Sequence, residues 1–503
     1  MPSKNALYLG IDLGTTALKA AVFEADSGRL VTGCVTRLSV RTASDGTREQ
    51  DPAGVIAAFR RIIARLRKDT GDAWRRVAAA GVAAQGGSTI IADRVGGKAL
   101  TPMYLWNDGR AYPDLQDILD ETGRSFWSRH TWRDEPGMGL ARIRWMRRHA
   151  PALFTGGHIY VGAGEYLFFH LTREWRQDAC HALQSGCYSA ERNALSKTTT
   201  ATANVEPSFF APLREGHTTR PLHADAARSL GLPAGIPVAG PYMDHEAAYM
   251  AMTGAAEHPL VCSLGTAWVG NFQTPPGARS VSPIQLVIPS PASEGHLVIQ
   301  PLLTGNVTWD WVLQTFVSPR LKRALVQQEH LFHESMFPPA GLVALPWLNR
   351  PNPFVPGALG AAAFVGLSPA TRPEDLVRAV ACGMVFELTR VFHEVKENGA
   401  ADGLVLYGGA SKGIQFQNLI AALFAGWPVF CAEDEDWLGA RGSLRPFGGK
   451  AHHGALRPLR EPSASVTASA REHYETYLKA FDSLYGNLDV GRACRIVSKG
   501  RSR

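Results

Sequence analysis

Four short stretches combine glycine with an acid or hydroxyl residue in a way that suits phosphate chemistry. The first is Asp12-Leu-Gly-Thr-Thr16, set between two short apolar runs within Leu7–Phe23. Backbone N–H groups and hydroxyls in such a turn make an anion-binding concavity. An aspartate closing the first strand can hold Mg²⁺ beside it, directly or through water. The second stretch, Ser263-Leu-Gly-Thr266, repeats the theme with serine in place of the acid, so a single metal-holding acid is expected. The third is Asp244, delivered by Gly240-Pro-Tyr-Met and followed at once by a helix-length apolar run. An acid so placed could take a proton from a substrate hydroxyl. On its own, however, an Asp ahead of an apolar run is more often a helix N-cap. The fourth is Gly408-Gly-Ala-Ser411, which ends an apolar strand at a turn where backbone can lie flat against a planar base.

A second set of residues suits a neutral, polyhydroxylated ligand. Gln85, Trp106, Asn107, Asp108 and Arg110 offer donors, acceptors and an aromatic face. Asp108-x-Arg110 also fits a surface ion pair worth under about 1 kcal/mol.

The elements that must position these groups read as alternating strands and helices. Two strands fold about Gly14-Thr15-Thr16, and Asp51 and Pro52 open a helix. Its residues Val55, Ile56, Phe59, Ile62, Ile63 and Leu66 keep the spacing of one buried face. Val77–Ala84 reads as a buried strand, and Thr89–Ala92 as another. Residues 137–190 look helical and then loop-rich, and 191–239 look like strands and turns. After Gly254, strand, Leu-Gly-Thr and strand recur, as in two related halves. A helix opened by Pro373 carries Leu376, Val380, Met384 and Val391 on a core face. Four acids at Glu433–Asp436 suit the start of one more helix.

Composition excludes several classes. At 503 residues two domains are expected. The net charge of +7 is diffuse apart from Arg492, Arg495, Lys499, Arg501 and Arg503, which read as a solvated tail. No nucleic-acid footprint results, although an anionic small molecule is favoured. Seven cysteines without a CxxC pair speak against a disulfide framework or zinc site. No GxxxxGK[ST] loop, membrane-spanning run or signal-peptide core is read, and a cytoplasmic enzyme is expected.

Taken in order, these stretches resemble the FGGY family of carbohydrate kinases, in the actin-like (ribonuclease-H-like) ATPase superfamily. The likeness spans about 1–450. It rests on Asp12-Leu-Gly-Thr-Thr16, Glu49-Gln-Asp-Pro52, Trp106-Asn-Asp-Gly-Arg110, Gly240–Asp244, Ser263-Leu-Gly-Thr266, and Gly408-Gly-Ala-Ser411 through Leu438-Gly-Ala440. The resemblance implies an α/β fold of two actin-like domains with a cleft between them. Residues 1–254 would hold sugar, first phosphate loop and catalytic acid. Residues 255–452 would carry the second phosphate loop and the adenosine site, and 453–503 a C-terminal helix and basic tail. It implies transfer of the γ-phosphoryl of ATP, with Mg²⁺, to a ketose or polyol.

The roles it implies are Asp244 as base and Asp12 as metal holder. Gly14, Thr15, Thr16, Lys19, Gly265 and Thr266 bind phosphate, and Gly408, Gly409, Ala410 and Asn418 bind the rest of the nucleotide. Gln85, Trp106, Asp108 and Arg110, with Asp244, hold the sugar. Neither nucleic acid nor membrane is an expected partner, and a homodimer is left open. Rival readings are a non-catalytic sugar or nucleotide sensor and a chaperone-like or filament-forming ATPase. The retained Asp12 and Asp244 speak against the first, and the sugar-side set against the second.

Departures from the family pattern blur the substrate. Arg142 stands where lysine is usual, Cys382 where an acid is usual, and Ala422 where aspartate is usual. Ala84-Gln-Gly-Gly-Ser88 lacks both the Met-His-Gly common in xylulokinases and the Gln-Arg-Glu common in glycerol kinases.

Overall fold

A computed structural model describes residues 5–282, 284–302, 304–348, 361–485 and 495–498. The chain forms two compact units. One comprises Met1–Thr253 with Leu286–Leu297 and Asp436–Gly454; the other comprises Gly254–Gln285, Val298–Glu435 and Ala455–Arg503.

The first unit is built on a six-stranded sheet. Its order is Arg220–Pro221, Pro237–Met243, Val77–Ala84, Leu7–Leu13, Ala17–Glu24 and Leu30–Arg37. Leu7–Leu13 pairs antiparallel with Ala17–Glu24 and parallel with Val77–Ala84, which pairs parallel with Pro237–Met243. These central strands are apolar almost throughout because both faces are covered.

On one face lies the helix Pro52–Thr70. Asp51 caps it, accepting from Ala53 N and Gly54 N at 3.0 Å each. Its six expected core residues are all buried, packed with Leu7, Leu9 and Ile11. The opposite face is covered by Asp436–Gly454, whose Ala440 and Leu444 pack with Tyr8, Phe23 and Ala79. Two glycines permit this approach. A Cβ on Gly10 would fall 2.4 Å from Ala440 O, and one on Gly81 2.3 Å from Ser443 O.

The second unit repeats the arrangement. Leu456–Pro458, Val429–Ala432, Gly403–Tyr407, Pro259–Leu264 and Trp268–Thr274 lie side by side in that order. Pro259–Leu264 is antiparallel to its hairpin partner and parallel to Gly403–Tyr407, as Leu7–Leu13 is to its own neighbours. The helix Pro373–Val391 is buried from Val377 to Val391, with no solvent stripe over that length. It therefore carries its charges as pairs, Arg378 with Asp375 at 2.9 Å and Arg390 with Glu387 at 2.7 Å. Cys382 sits in this buried stretch, its Sγ 3.8 Å from Met336 O.

Several expectations need correction. Residues 191–239 fold largely as short helical turns and one helix, Ala224–Leu230, rather than as strands. The acids of Glu433–Asp436 do lead into a helical turn, Glu435–Trp437, and a five-residue helix, Leu438–Gly442. Three of them also make specific contacts. Asp434 accepts from Ala455 N, Glu435 from Gly408 N, and Asp436 from Lys19. The basic tail is not wholly a solvated end, since Arg495–Ser498 pairs with Ala278–Val281. Arg492, Lys499, Arg501 and Arg503, with residues 349–360, lie outside the described residues. Among the described residues no helix is long and apolar enough to cross a membrane.

Candidate active site

The register of three parallel strands brings the first set of groups together. Leu13 is level with Ala84, and Ala84 with Met243. Asp12 and the Gly14 turn, Gln85 and Asp244 therefore emerge side by side at the same sheet end, where ligands bind in parallel sheets.

The turn is tied directly to the sugar-side residues. Thr15 Oγ1 donates to Gln85 Oε1 at 2.8 Å, and Trp106 Nε1 donates to Thr15 Oγ1 at 3.2 Å. Gln50 Nε2 holds the Thr15 carbonyl at 2.8 Å. Thr16 stays exposed, and Trp106 keeps 48% of its surface open.

Asp12 is the most perturbed acid of this group. Burial, and then the charge of Asp244, raise its pKa to about 7 against the opposing pull of Lys19. Its Oδ1 is sealed from solvent and accepts no hydrogen bond from the described residues. A buried oxygen without a donor is costly, and a cation would satisfy it. Among the described residues no cluster of three or more His, Cys, Asp or Glu is arranged for a metal. Any cation there would take its remaining ligands from water or phosphate. Gly439 leaves room for the carboxylate, since a Cβ there would stand 2.6 Å from Asp12 Cγ. Lys19 is engaged with Asp436 at 3.2 Å.

Asp244 is the first residue of its helix rather than the cap. Met243 occupies the cap position, and its N–H reaches Glu246 Oε2 and Asp178 Oδ2, each at 3.3 Å. That N–H is thus satisfied by other acids. Asp244 Oδ1 accepts from His245 N at 2.9 Å, which leaves its other oxygen without a donor among the described residues.

Behind Asp244 lies a buried polar cluster that the sequence did not announce. Asp178 Oδ1 accepts from His181 N and Nδ1, both at 2.8 Å. Burial opposes the charge on Asp178, but His181 outweighs it and keeps its pKa low. Burial and then the adjacent Asp178 hold Glu246 well above the usual carboxylate range. Burial also opposes the imidazolium of His181, yet Asp178 and Glu165 prevail and raise it to about 9.

Asp108 and Arg110 are not a surface pair. Asp108 is 2% exposed, and its carboxylate takes Arg48 N at 2.8 Å and Arg110 through Nε and Nη2. Arg110 also bonds Glu49 at 2.7 Å and lies over the Tyr104 and Trp145 rings. The pair fixes the loop that presents Trp106. Arg142 does similar work from a fully buried position, donating to the carbonyls of Gly87, Leu105 and Trp106 and to Thr89 Oγ1.

In the second unit the Gly265-Thr266 turn and Gly408-Gly409 come together. Ser263 is level with Tyr407, so both turns leave the same sheet end. Gly408, at φ +94°, lies so close that a Cβ would fall 2.8 Å from Leu264 C. Gly265 O accepts from Asn306 N at 3.0 Å, and Gly408 N donates to Glu435 at 2.7 Å. Thr266 is exposed, Ala410 buried, and Asn418 half-buried on the helix Ile414–Leu423. Leu438-Gly-Ala440 packs in the first unit, against Gly10 and Asp12.

Comparison with known proteins bears on the family and the fold. Residues 7–251 match the FGGY family of carbohydrate kinases, N-terminal domain. The chain is 23% identical over 444 residues to a gluconokinase of Bacillus licheniformis, covering 84% of this chain and 83% of that protein. It is 23% identical over 421 residues to a xylulose kinase of Lactococcus lactis, covering 83% and 82%. The crystal structure of xylulose kinase from Rhodospirillum rubrum superposes with a TM-score of 0.82 at 20% identity, covering 96% of this chain and 100% of that one. The fold is thus the α/β, two-domain actin-like one. Residues 7–251 thus carry the N-terminal domain of the FGGY family of carbohydrate kinases, and the chain is an ATP-dependent sugar kinase.

Proposed function

We propose that the enzyme transfers the γ-phosphoryl of ATP to a hydroxyl of a ketose or polyol in the cytoplasm, with Asp244 as the base. The observation that carries this reading is the level register of Leu13, Ala84 and Met243, which gathers Asp12, Thr15, Gln85 and Asp244 at one sheet end.

Phosphoryl transfer passes through a loose transition state, so positioning and charge stabilisation do most of the catalysis. The Gly14 and Gly265 turns, with Thr15, Thr16 and Thr266, donate to phosphate oxygens. Lys19 lends positive charge, and Gly408, Gly409, Ala410 and Asn418 form the adenosine side. Asp12, with its sealed oxygen, fits the role of holding Mg²⁺, which when bound neutralises phosphate charge. Gln85 and Trp106 orient the acceptor, and Asp108 and Arg110 act through the loop that carries Trp106. Asp244 takes the hydroxyl proton on the oxygen left free by His245 N. Aspartate is a weak base, so this contribution is about 10²–10⁴-fold. Replacement of Asp244 by Asn is expected to preserve ATP and sugar binding by calorimetry while turnover falls at least about a hundredfold. Near-normal turnover in D244N would remove Asp244 from the mechanism.

A further inference from the structure

The sugar-side turn also holds a side chain that the mechanism above does not use. Gln184, near the end of the helix Ala179–Ser185, lays its carboxamide against Gly86 and Gly87. A Cβ on Gly86 would fall 2.1 Å from Gln184 Oε1, and one on Gly87 would fall 3.1 Å from that oxygen and 3.3 Å from Trp106 Cβ. Gly87, at φ +71°, has its own backbone reason to be glycine. Gly86 has none, and what it admits is the Gln184 side chain. Gln184 Oε1 is sealed from solvent, and neither end of the carboxamide bonds a described residue. A buried amide oxygen without a donor is costly unless a ligand completes it.

The surrounding charges limit which ligand that is. The two guanidinium groups tied to this turn are already engaged. Arg142 is held by the carbonyls of Gly87, Leu105 and Trp106, and Arg110 by Asp108 and Glu49. Neither is left to meet a substrate carboxylate. Trp106 offers an open apolar face beside the same turn.

We infer that Gln184, seated in the room that Gly86 leaves for its carboxamide, sets acceptor specificity by receiving a hydroxyl of a neutral ketose or polyol. The inference rests on the kinase reading above and adds to it a residue and a preference for neutral over anionic acceptors.

Acceptor-dependent ADP release measured with xylulose, erythritol and gluconate, each at varied concentration, tests it on the full-length enzyme. The wild type is expected to use a neutral acceptor and to discriminate against gluconate. Q184L is expected to raise the KM for that acceptor roughly tenfold, the worth of one hydrogen bond, with the KM for ATP unchanged. The loss should vanish for the mono-deoxy analogue that lacks the bonded hydroxyl, which a general structural defect would not produce. Gly86→Ala, whose Cβ displaces the carboxamide without altering Gln184, should raise the same KM and covers the case in which Q184L folds poorly. An unchanged acceptor KM in both variants, or gluconate as the preferred acceptor, overturns the inference while leaving the kinase standing. ADP release that no sugar or polyol stimulates in the wild type would sink the kinase reading and this inference with it.

Discussion

The contact between Gly439 and Asp12 lets a single methyl group be aimed at the proposed cation holder without touching its chemistry. An alanine Cβ at position 439 would stand 2.6 Å from Asp12 Cγ, 2.7 Å from Oδ2 and 3.1 Å from Oδ1. Non-bonded atoms settle at about 3.5–4.0 Å, so the carboxylate must retreat by roughly 1 Å. Misplacing a catalytic group by that distance costs on the order of a hundredfold in rate. Overpacking the site costs about 1–3 kcal/mol of stability, so G439A should fold and melt only modestly earlier. The assay is steady-state ADP release at saturating acceptor, with thermal unfolding on the same samples. Turnover is expected to fall between about ten- and a hundredfold, with the acceptor KM held within about twofold. In an Asp12→Ala background the added methyl has no carboxylate to displace, so the two losses should not add. Wild-type turnover in G439A, or losses that add in the double variant, would refute the argument that Gly439 exists to seat Asp12.

Two further outcomes follow from the same structure. His181 is raised from 6.5 to about 9 in the fold, so its stabilising contribution is complete below pH 6.5 and is lost as pH climbs toward 9. At about 1.4 kcal/mol for each pH unit this is on the order of 3 kcal/mol. Denaturant titrations between pH 6 and 9.5 should show that decline in the wild type and a flatter profile in H181Q, and parallel profiles would exclude it. At Gly408 an alanine would meet both φ +94° and a contact of 2.8 Å with Leu264 C. G408A should therefore raise the KM for ATP by roughly tenfold, a left-handed alanine costing about 1–2 kcal/mol. The acceptor KM should hold, and an unchanged KM for ATP would count against a nucleotide role for this turn.

What could be read from the sequence was what is decided within a few residues. The strand–turn–strand of Leu7–Phe23 is specified by apolar runs broken at Gly14-Thr15-Thr16, and hairpin pairing needs nothing more distant. The helix after Asp51 announces itself through its cap, Pro52 and a regular apolar stripe, and every residue of that stripe is buried. The repeat of Leu-Gly-Thr anticipated two halves, and the matching strand orders bear the same relation. Misreadings came where tertiary burial overrides pattern. The helix Pro373–Val391 has no polar stripe over most of its length because it is enclosed, so periodicity gave only part of its packing. Asp108-x-Arg110 looks identical in sequence whether it faces water or, as here, Glu49, Tyr104 and Trp145.

Asp244 shows why the remainder was hidden. A sequence offers an acid before an apolar run, and capping is the ordinary explanation. Capping is also a need that any nearby acceptor can meet. Here two acids meet it by accepting from the Met243 N–H: Glu246, three residues on, and Asp178, 65 residues away in sequence. With the Met243 N–H satisfied twice over, Asp244 is not needed for that donor. Its carboxylate accepts instead from the next residue's N–H. The local motif Met243-Asp-His-Glu246 carries a hint of this, because an acid three residues after the cap position can reach back to it. The Asp178 contribution carries none. It depends on the helix Ala179–Ser185, which Asp178 caps, packing behind Pro237–Met243. An acid relieved of the Met243 N–H by two others, at the end of a strand level with Asp12 and Gln85, is placed as the proposed base requires.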